Sequence, residues 1–363
     1  MKSLEKPIWT KLTKETLEQI VITPPSEEMR KKVLENWDSV AKPIDSMGRF
    51  EILTAQLGAI LGTDKINIDK KAIVIMCADN GIVEEGVTLS GQEVTTAVAG
   101  LMGKKQSAVG RMAENIGADT LVVDIGINNK EPIPGLENRK IRYGTHNFIK
   151  EPAMTEEEAL KAISVGIDMV FSCKEAGYTI LGTGELGMGN TTTSAAVAAA
   201  LLQRKASEVT GRGAGLSDDG LLRKQQVISK AIEKYDLYHA DALTVLATVG
   251  GLDIAGLTGV CIGGAMFHVP IVLDGVISIV AALLAERMVP GTKAFLLPSH
   301  KGKEPAIDIL SKELGIDPVI DGKLGLGEGT GAVMMFSLLD MALSVYKSSA
   351  TFEDIQVEKH KRA

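Results

Sequence analysis

Short apolar runs separated by amphipathic segments constrain this chain more than any other feature. The runs fall at 72–78, 120–125, 178–181, 269–273, 294–297 and, more weakly, 318–320. Between the first of them lie two segments with helical periodicity, 92–116 and 156–176. The second opens with Thr155 and Glu158 at capping-box spacing and places Leu160, Ile163, Ile167, Val170 and Phe171 on one face. Strand-like and helix-like stretches in alternation imply an α/β protein with a doubly wound, mostly parallel, Rossmann-like sheet covered on both sides. Ligands of such sheets bind beyond the carboxyl ends of the strands. Residues 1–65 read as helical and polar, with one helix opened by Pro24-Pro25-Ser26 and closed by Lys42-Pro43. A long final helix is expected over 330–346, followed by a frayed charged tail at 358–362. The two ends are expected to build a small helical domain (1–65 plus 335–363) beside a large α/β domain (66–334), in keeping with about two domains for 363 residues.

Charge and cysteine usage exclude several classes. Lys plus Arg number 39 against 46 Asp plus Glu, a net charge of −7, which opposes a nucleic-acid or anionic-membrane surface. The start of the chain has no apolar signal core, and the longest apolar stretch, 276–285, is too short to span a bilayer, so a cytoplasmic protein is expected. Cys77, Cys173 and Cys261 are far apart and form no CxxC or Cys/His cluster, so neither a zinc site nor a disulfide is expected. No metal or cofactor is required by any motif; Walker-A, G-x-S-x-G and HExxH patterns are all missing from the sequence. Of the histidines, His268 reads as a core residue. His300, just past an apolar run, is a better site candidate.

Glycine, at 38 residues, is concentrated in three motifs. In the first, 179–202, an apolar strand enters a turn with glycines at 182, 184, 187 and 189, and a small-residue helix begins near Asn190-Thr191-Thr192-Thr193. Asn and Thr suit an N-cap, and a helix N-terminus attracts phosphate or carboxylate; an ordinary capped turn accounts for the same residues. Gly182-x-Gly184-x-x-Gly187 also fits a dinucleotide fingerprint, with Glu208 following 21 residues after Gly187, which makes an NAD(P)-dependent oxidoreductase the rival reading. Two features count against it: Glu208 follows a helix rather than a second strand, and Glu185 places a negative charge inside the loop. The second motif, 211–224, combines Gly211, Arg212 and Gly213 with Asp218 as a helix cap and Arg223 and Lys224 on the helix; anion recognition and a solvated loop both fit. In the third, 324–332, Glu328 lies among Gly325, Gly327, Gly329 and Gly331. It reads either as a desolvated carboxylate with a raised pKa, suited to general-base work, or as a cap of the final helix.

In this order the three motifs resemble the nicotinate-nucleotide–dimethylbenzimidazole phosphoribosyltransferase family of cobamide biosynthesis. The resemblance extends through KPIDSMGRFE (42–51), CADNGIVEEGVTLS (77–90), GELGMGNTT (184–192), GGLDIAGLTG (250–259), VPIVLDGVIS (269–278), PSH (298–300) and LGEGTGA (326–332). It implies transfer of the 5-phosphoribosyl group of nicotinate mononucleotide to an aromatic base, with inversion to the α-riboside phosphate and release of nicotinate. By the same resemblance Glu328 is the catalytic base, with Glu185 and Lys224 supporting catalysis. Gly184, Gly187, Asn190, Thr191, Thr192, Gly211, Arg212 and Gly213 bind phosphate and ribose, and Ser90, Val98, Leu186, Met188, Gly302 and Leu326 line the base pocket. A homodimer with sites near the subunit interface is implied, or a heterodimer with a paralogous chain.

The sequence also departs from the commonest family pattern. Asp45 and Met47 replace glycine and leucine of KPxGSLG, Asn80 stands at a common histidine, Val98 where some members have glutamine, and Gly302 at a common serine. Fewer polar groups imply a more apolar base pocket, so the acceptor is left open among dimethylbenzimidazole, another benzimidazole, a purine or a phenol. A non-catalytic regulatory paralogue is a further alternative, opposed by the presence of Glu185, Lys224 and Glu328.

Overall fold

A computed structural model describes residues 8–359; the opening segment 1–7 and the end of the charged tail, 360–363, lie outside the described residues. The strands are β1 (Lys71–Ala78), β2 (Asp119–Gly126), β3 (Glu137–Asn138), β4 (Ile180–Leu186), β5 (Ile271–Leu273), β6 (Leu296–Pro298), β7 (His300–Gly302) and β8 (Ile320–Leu324). The first six form one parallel sheet in the order β3-β2-β1-β4-β5-β6, and β7 and β8 form a separate parallel pair. The chain winds outward from β1 in one direction, then returns and winds outward from β4 in the other. The connections therefore diverge between β1 and β4, and a crevice opens at the carboxyl ends of these two strands.

Every residue of β1 is buried, which is why it reads as an unbroken apolar run. Its side chains alternate between two cores. Ala72, Val74, Met76 and Ala78 join the core shared with the helices Glu156–Glu175, Asn190–Leu202, Leu252–Phe267 and Val276–Met288. Ile73, Ile75 and Cys77 join the core shared with Glu27–Ser39, Arg49–Leu61, Ala108–Asn115 and Thr330–Ser348. The doubly wound α/β class read from the sequence is the observed one. Residues from Trp37 onward meet the end of the chain on the second face: Trp37 donates to Thr54 Oγ1 at 2.6 Å, its ring lies 5.3 Å from that of Tyr346, and Val40 bridges Thr351. Trp9, by contrast, packs against Phe171 and Phe267 on the first face, apart from the C-terminal segment. All three cysteines are buried and free. Among the described residues, no helix is long and apolar enough to cross a membrane.

Several expectations need correction. The helix expected over 92–116 is two helices, Glu93–Gly103 and Ala108–Asn115. Lys105 turns left-handed at φ 56, and Ser107 restarts the chain by accepting the Gly110 N–H. Gly182 and Gly184 belong to β4 itself; only Gly187 and Gly189 lie in the turn after it. The helix that follows is capped by Gly189 at φ 90 with no side-chain cap, so neither Asn190 nor the threonines serve as its N-cap. Ser217, not Asp218, caps Asp218–Lys234. The weak run at 318–320 leads into β8, outside the main sheet, and only the end of the 294–297 run is strand, because a 3₁₀ turn, Thr292–Phe295, precedes β6. Neither β3, two exposed polar residues, nor β7 has an apolar run to betray it.

Glycine sets the spacing of the most intimate helix pair. A Cβ on Gly166 would stand 2.0 Å from the carbonyl oxygen of Gly256, and one on Gly259 would stand 2.0 Å from that of Ile163. The helices Glu156–Glu175 and Leu252–Phe267 thus touch backbone to backbone, and overpacking has no side chain to displace. Gly166→Ala is expected to lower unfolding free energy by about 1–3 kcal/mol. Gly100→Ala, in a helix where nothing lies within 4 Å of the added methyl, is expected to raise it by up to about 1 kcal/mol. Urea denaturation of both variants measures the contrast.

Candidate active site

The carboxyl ends of β1, β4 and β5 each finish in an acid. Asp79 follows β1, Glu185 is the penultimate residue of β4, and Asp274 follows β5; all three are buried. Glu185 is the hub. Burial pushes its carboxyl up to about 8, helped by the nearby charges of Asp253 and Asp274 and opposed by hydrogen bonds from Asn190 Nδ2 and the Glu328 backbone N–H. Asp253, in the first turn of Leu252–Phe267, is raised to about 7, again chiefly by burial. Asn80 donates to the Met188 carbonyl at 3.3 Å, while its own Oδ1, together with Asp79 Oδ1 and Asp253 Oδ2, is buried without a hydrogen-bond partner.

Glu328 reaches this hub from the turn before the final helix. It has φ 62, between Gly327 at 79 and Gly329 at 95. The turn lies directly on the strand end: a Cβ on Gly184 would sit 2.5 Å from the Glu328 carbonyl oxygen, and one on Gly327 would sit 2.3 Å from Glu185 Oε1. The final helix is capped by Gly329 with no side-chain bond, so Glu328 is not its cap. Instead its Oε2 accepts the Val109 N–H at 3.2 Å, at the start of Ala108–Asn115, the helix that exists only because the 92–116 segment breaks. Its pKa is raised, first by burial, with the Val109 N–H opposing and the Asp274 charge adding to the rise. Of the two readings from sequence, the helix cap is excluded by the structure.

On the other side of Glu185 lies a cationic cradle. Lys224 is fully buried, its Nζ donating to Thr191 Oγ1 at 2.8 Å and to the Gly211 carbonyl at 3.2 Å. Burial lowers its pKa to about 8, and Glu304 opposes that shift. Glu304 in turn accepts the Gly213 N–H at 2.9 Å. Thr192 Oγ1 is buried with no hydrogen-bond partner in the first turn of Asn190–Leu202, where backbone N–H groups point outward. This is a place for an anion. Arg212 does not present its fork to that place, because it donates to the Leu216 carbonyl at 2.9 Å and pairs with Asp218.

The six residues expected at a base pocket are only partly brought together. The Met188 N–H donates to Thr95 Oγ1 at 3.2 Å, one turn before Val98 on the same helix, and Val98 and Leu186 pack on the same core. Gly302 lies in β7, where an added Cβ would lie 3.7 Å from His300 Nε2. Ser90 and Leu326 are exposed. Two surface cavities, of about 630 and 500 Å³, are lined by none of these residues. The strand ends, with their buried ionisable groups, are the stronger indication of where chemistry occurs.

Sequence reading missed Asp79, Asp253, Asp274 and Glu304 as members of this constellation. Two of them had a legible signal, since Asp79 and Asp274 each directly follow an apolar run, at a strand's carboxyl end. Glu304 had none, because it comes into place only through the fold.

A doubly wound sheet with a half-buried carboxylate of raised proton affinity and a buried lysine beside a helix start at its reversal point is an arrangement suited to group transfer on an anionic substrate. The phosphoribosyltransferase family model DBI_PRT matches residues 22–357, and the chain belongs to that family. It is similar to the nicotinate-nucleotide–dimethylbenzimidazole phosphoribosyltransferases of Acetivibrio thermocellus, 45% identical over 89% of this chain and 92% of the relative, and Clostridium perfringens, 43% identical over 88% and 89%. The crystal structure of CobT from Thermus thermophilus superposes with a TM-score of 0.87 at 35% identity, covering 92% of this chain and 100% of that one. The chain is thus a transferase of the pentosyl class. The oxidoreductase alternative finds no support: two glycines of its fingerprint are strand residues, and Glu208 accepts the Lys205 N–H at 2.9 Å at the start of a one-turn helix.

An anion held at this place would bind in a pH-dependent way. If it pairs with the protonated Lys224, affinity for ribose 5-phosphate should be greatest below about 8, where the lysine is charged, and fall as pH rises beyond it. Calorimetric titration across that range should show the alkaline loss in the wild type and none in Lys224→Met, which should bind weakly throughout.

Proposed function

We propose that this chain transfers the 5-phosphoribosyl group of nicotinate mononucleotide to an aromatic lower-ligand base for cobamide synthesis, with 5,6-dimethylbenzimidazole as the principal acceptor. The observation that carries the reading is Glu185, which touches both the Glu328 turn and, through Asn190, the helix start that carries Thr191 and the Lys224 cradle. Base and anion site therefore flank a single strand end. The curated relatives, matched across about nine-tenths of this chain, are named for the same substrate pair.

On this reading the phosphate lies against Lys224, Thr191, Thr192 and the 211–213 loop, while Gly184 is taken up by packing of the Glu328 turn on the strand end and Gly187 by the close approach of Ala78. The acceptor nitrogen attacks C1′ from the face opposite nicotinate, so the new bond is α. As the old C1′–N bond breaks, its electron pair returns to the pyridinium ring, and nicotinate leaves with a neutral ring nitrogen. That departure asks for neither a metal nor a general acid. The cationic ring of the substrate favours ionisation of Glu185, whose carboxyl burial otherwise raises to about 8; the ionised carboxylate stabilises the positive charge that grows on the ribose, and the acceptor proton passes to Glu328. Val98, Leu186 and Met188 form the apolar wall for the acceptor ring; Ser90, Gly302 and Leu326 join it only if the loops carrying them close over the acceptor. The same proposal takes the enzyme as cytoplasmic and as a dimer, either of one chain or with a paralogue. It also treats 1–65 plus 335–363 as a helical unit attached to 66–334, a division supported by the contact of Trp37 with Tyr346.

Glu328→Gln should retain nicotinate mononucleotide affinity and lose turnover by about 10²–10⁴-fold, the usual worth of a general base. Unchanged turnover measured by nicotinate release would remove the mechanism. Acceptor competition, read by mass of the α-riboside product, should rank dimethylbenzimidazole above purines and phenols. A phenolic O-glycoside as the main product would reverse that assignment.

A further inference from the structure

Beneath the Glu328 turn lies a buried carboxylate with no part in the reaction as written. Asp274 is 1% exposed, and both of its oxygens are engaged by the turn. Oδ2 accepts the Gly329 N–H at 3.2 Å and Oδ1 accepts the Gly331 N–H at 2.8 Å. These are the residues that follow Glu328 and start the final helix. Buried N–H groups at a helix start must find an acceptor, and an ionised one there also opposes the helix dipole. The far side of the pair is closed by His300, whose Nδ1 lies 3.9 Å from Asp274 Oδ1 and 3.0 Å from Ser299 Oγ. A Cβ on Gly331 would stand 1.9 Å from that same Nδ1, so the helix start is pressed onto Asp274 and His300 with no room for a side chain.

The three residues 327–329 are all left-handed, and Glu328 is the one without glycine's freedom to be so. A turn of this kind persists only where its surroundings hold it. We propose that Asp274 is a positioning residue for Glu328: by clamping the N–H groups of Gly329 and Gly331 it fixes the turn that aims the general base at the acceptor. The inference rests on the reading of Glu328 as that base. Asp274 acts through backbone and touches neither substrate. Among the described residues, the ionisable groups that face it are His300 from β7, Glu185 from β4 and Glu328 from the turn itself.

Asp274→Asn keeps the shape of the side chain, but offers one acceptor and an amide that cannot accept. Its kcat should fall by about ten- to a hundredfold, the cost of a base displaced by a fraction of an ångström to one ångström, with the KM for nicotinate mononucleotide unchanged. The acid limb of its kcat profile should also move to lower pH, because a negative neighbour of Glu328 is gone and position 274 no longer titrates. Mere loss of stability would lower the folded fraction without moving that limb. A crystal structure of the variant should show Glu328 detached from the Val109 N–H. The clamp is overturned if kcat and the acid limb stay put while Glu328→Gln has lost turnover. It is equally overturned if Glu328 keeps its left-handed conformation and its Val109 contact in the variant crystal. Should Glu328→Gln itself remain active, the base assignment fails and the crystal alone decides whether the clamp exists. Asp274→Ser, which removes the buried charge and keeps one acceptor, is read by the same measurements if Asp274→Asn accumulates poorly.

Discussion

Backbone N–H groups answered by buried carboxylates hold this site together. At the reversal between β1 and β4 the sheet leaves several strand ends and helix starts facing one another. Helix starts carry unpaired N–H donors and partial positive charge; acids placed at the strand ends accept them. Glu185 receives the Glu328 N–H, Asp274 receives those of Gly329 and Gly331, and Glu328 receives that of Val109. Each acid is expensive to bury alone. Together they lock two strands and two helices into one unit, and the residual cost appears as carboxyl groups with raised proton affinity.

The same arrangement explains how a chain with a net charge of −7 can hold a phosphorylated ligand. Overall charge governs long-range encounter, whereas a bound anion responds to the few groups it touches. Lys224 is buried and held by Thr191 and Gly211, with the Glu304 charge nearby. Because Arg212 is consumed by Leu216 and Asp218, the local cation is a lysine that is charged at neutral pH and loses its proton above about 8. A ligand phosphate would hold that charge to higher pH, so binding and protonation support each other.

How much of this was legible in the sequence depended on the range of the interaction. β1 was readable because burial on both faces leaves an uninterrupted apolar run, and Glu156–Glu175 because its Thr155–Glu158 capping box is local. Both signals are complete within a few residues. The break at 104–107 was not, since apolar periodicity continues across it and only Ser107 hints at a restart. That miss mattered, because the break creates the N–H group on Glu328. Asn190 shows the reverse error: its type suits a cap, yet a glycine caps the helix and Asn190 turns back to Glu185. Glycines were found but partly misread, as Gly182 and Gly184 serve close packing within β4 and not a phosphate loop. Motif order carried the family because it sums many such local facts; the pairing of each acid with its N–H had to come from the fold.

Acid-rich surroundings also suit the proposed reaction better than a sheet of this topology usually suggests. Doubly wound sheets commonly receive pyrophosphate at a glycine loop, where an acid would repel the ligand. In the proposed reaction the ligand's phosphate lies to one side, at Lys224, and the centre of the crevice is left to Glu185 and Glu328. A cationic pyridinium ring attached to ribose would favour the ionised form of Glu185, whose carboxyl burial otherwise raises to about 8. As the glycosidic bond breaks, the positive charge passes from ring to sugar before it reaches the acceptor, and so remains beside Glu185 throughout. When the proton finally arrives at Glu328, the charge has been neutralised at the one carboxylate that is half open to the acceptor. The raised proton affinity produced by burial then favours that last step.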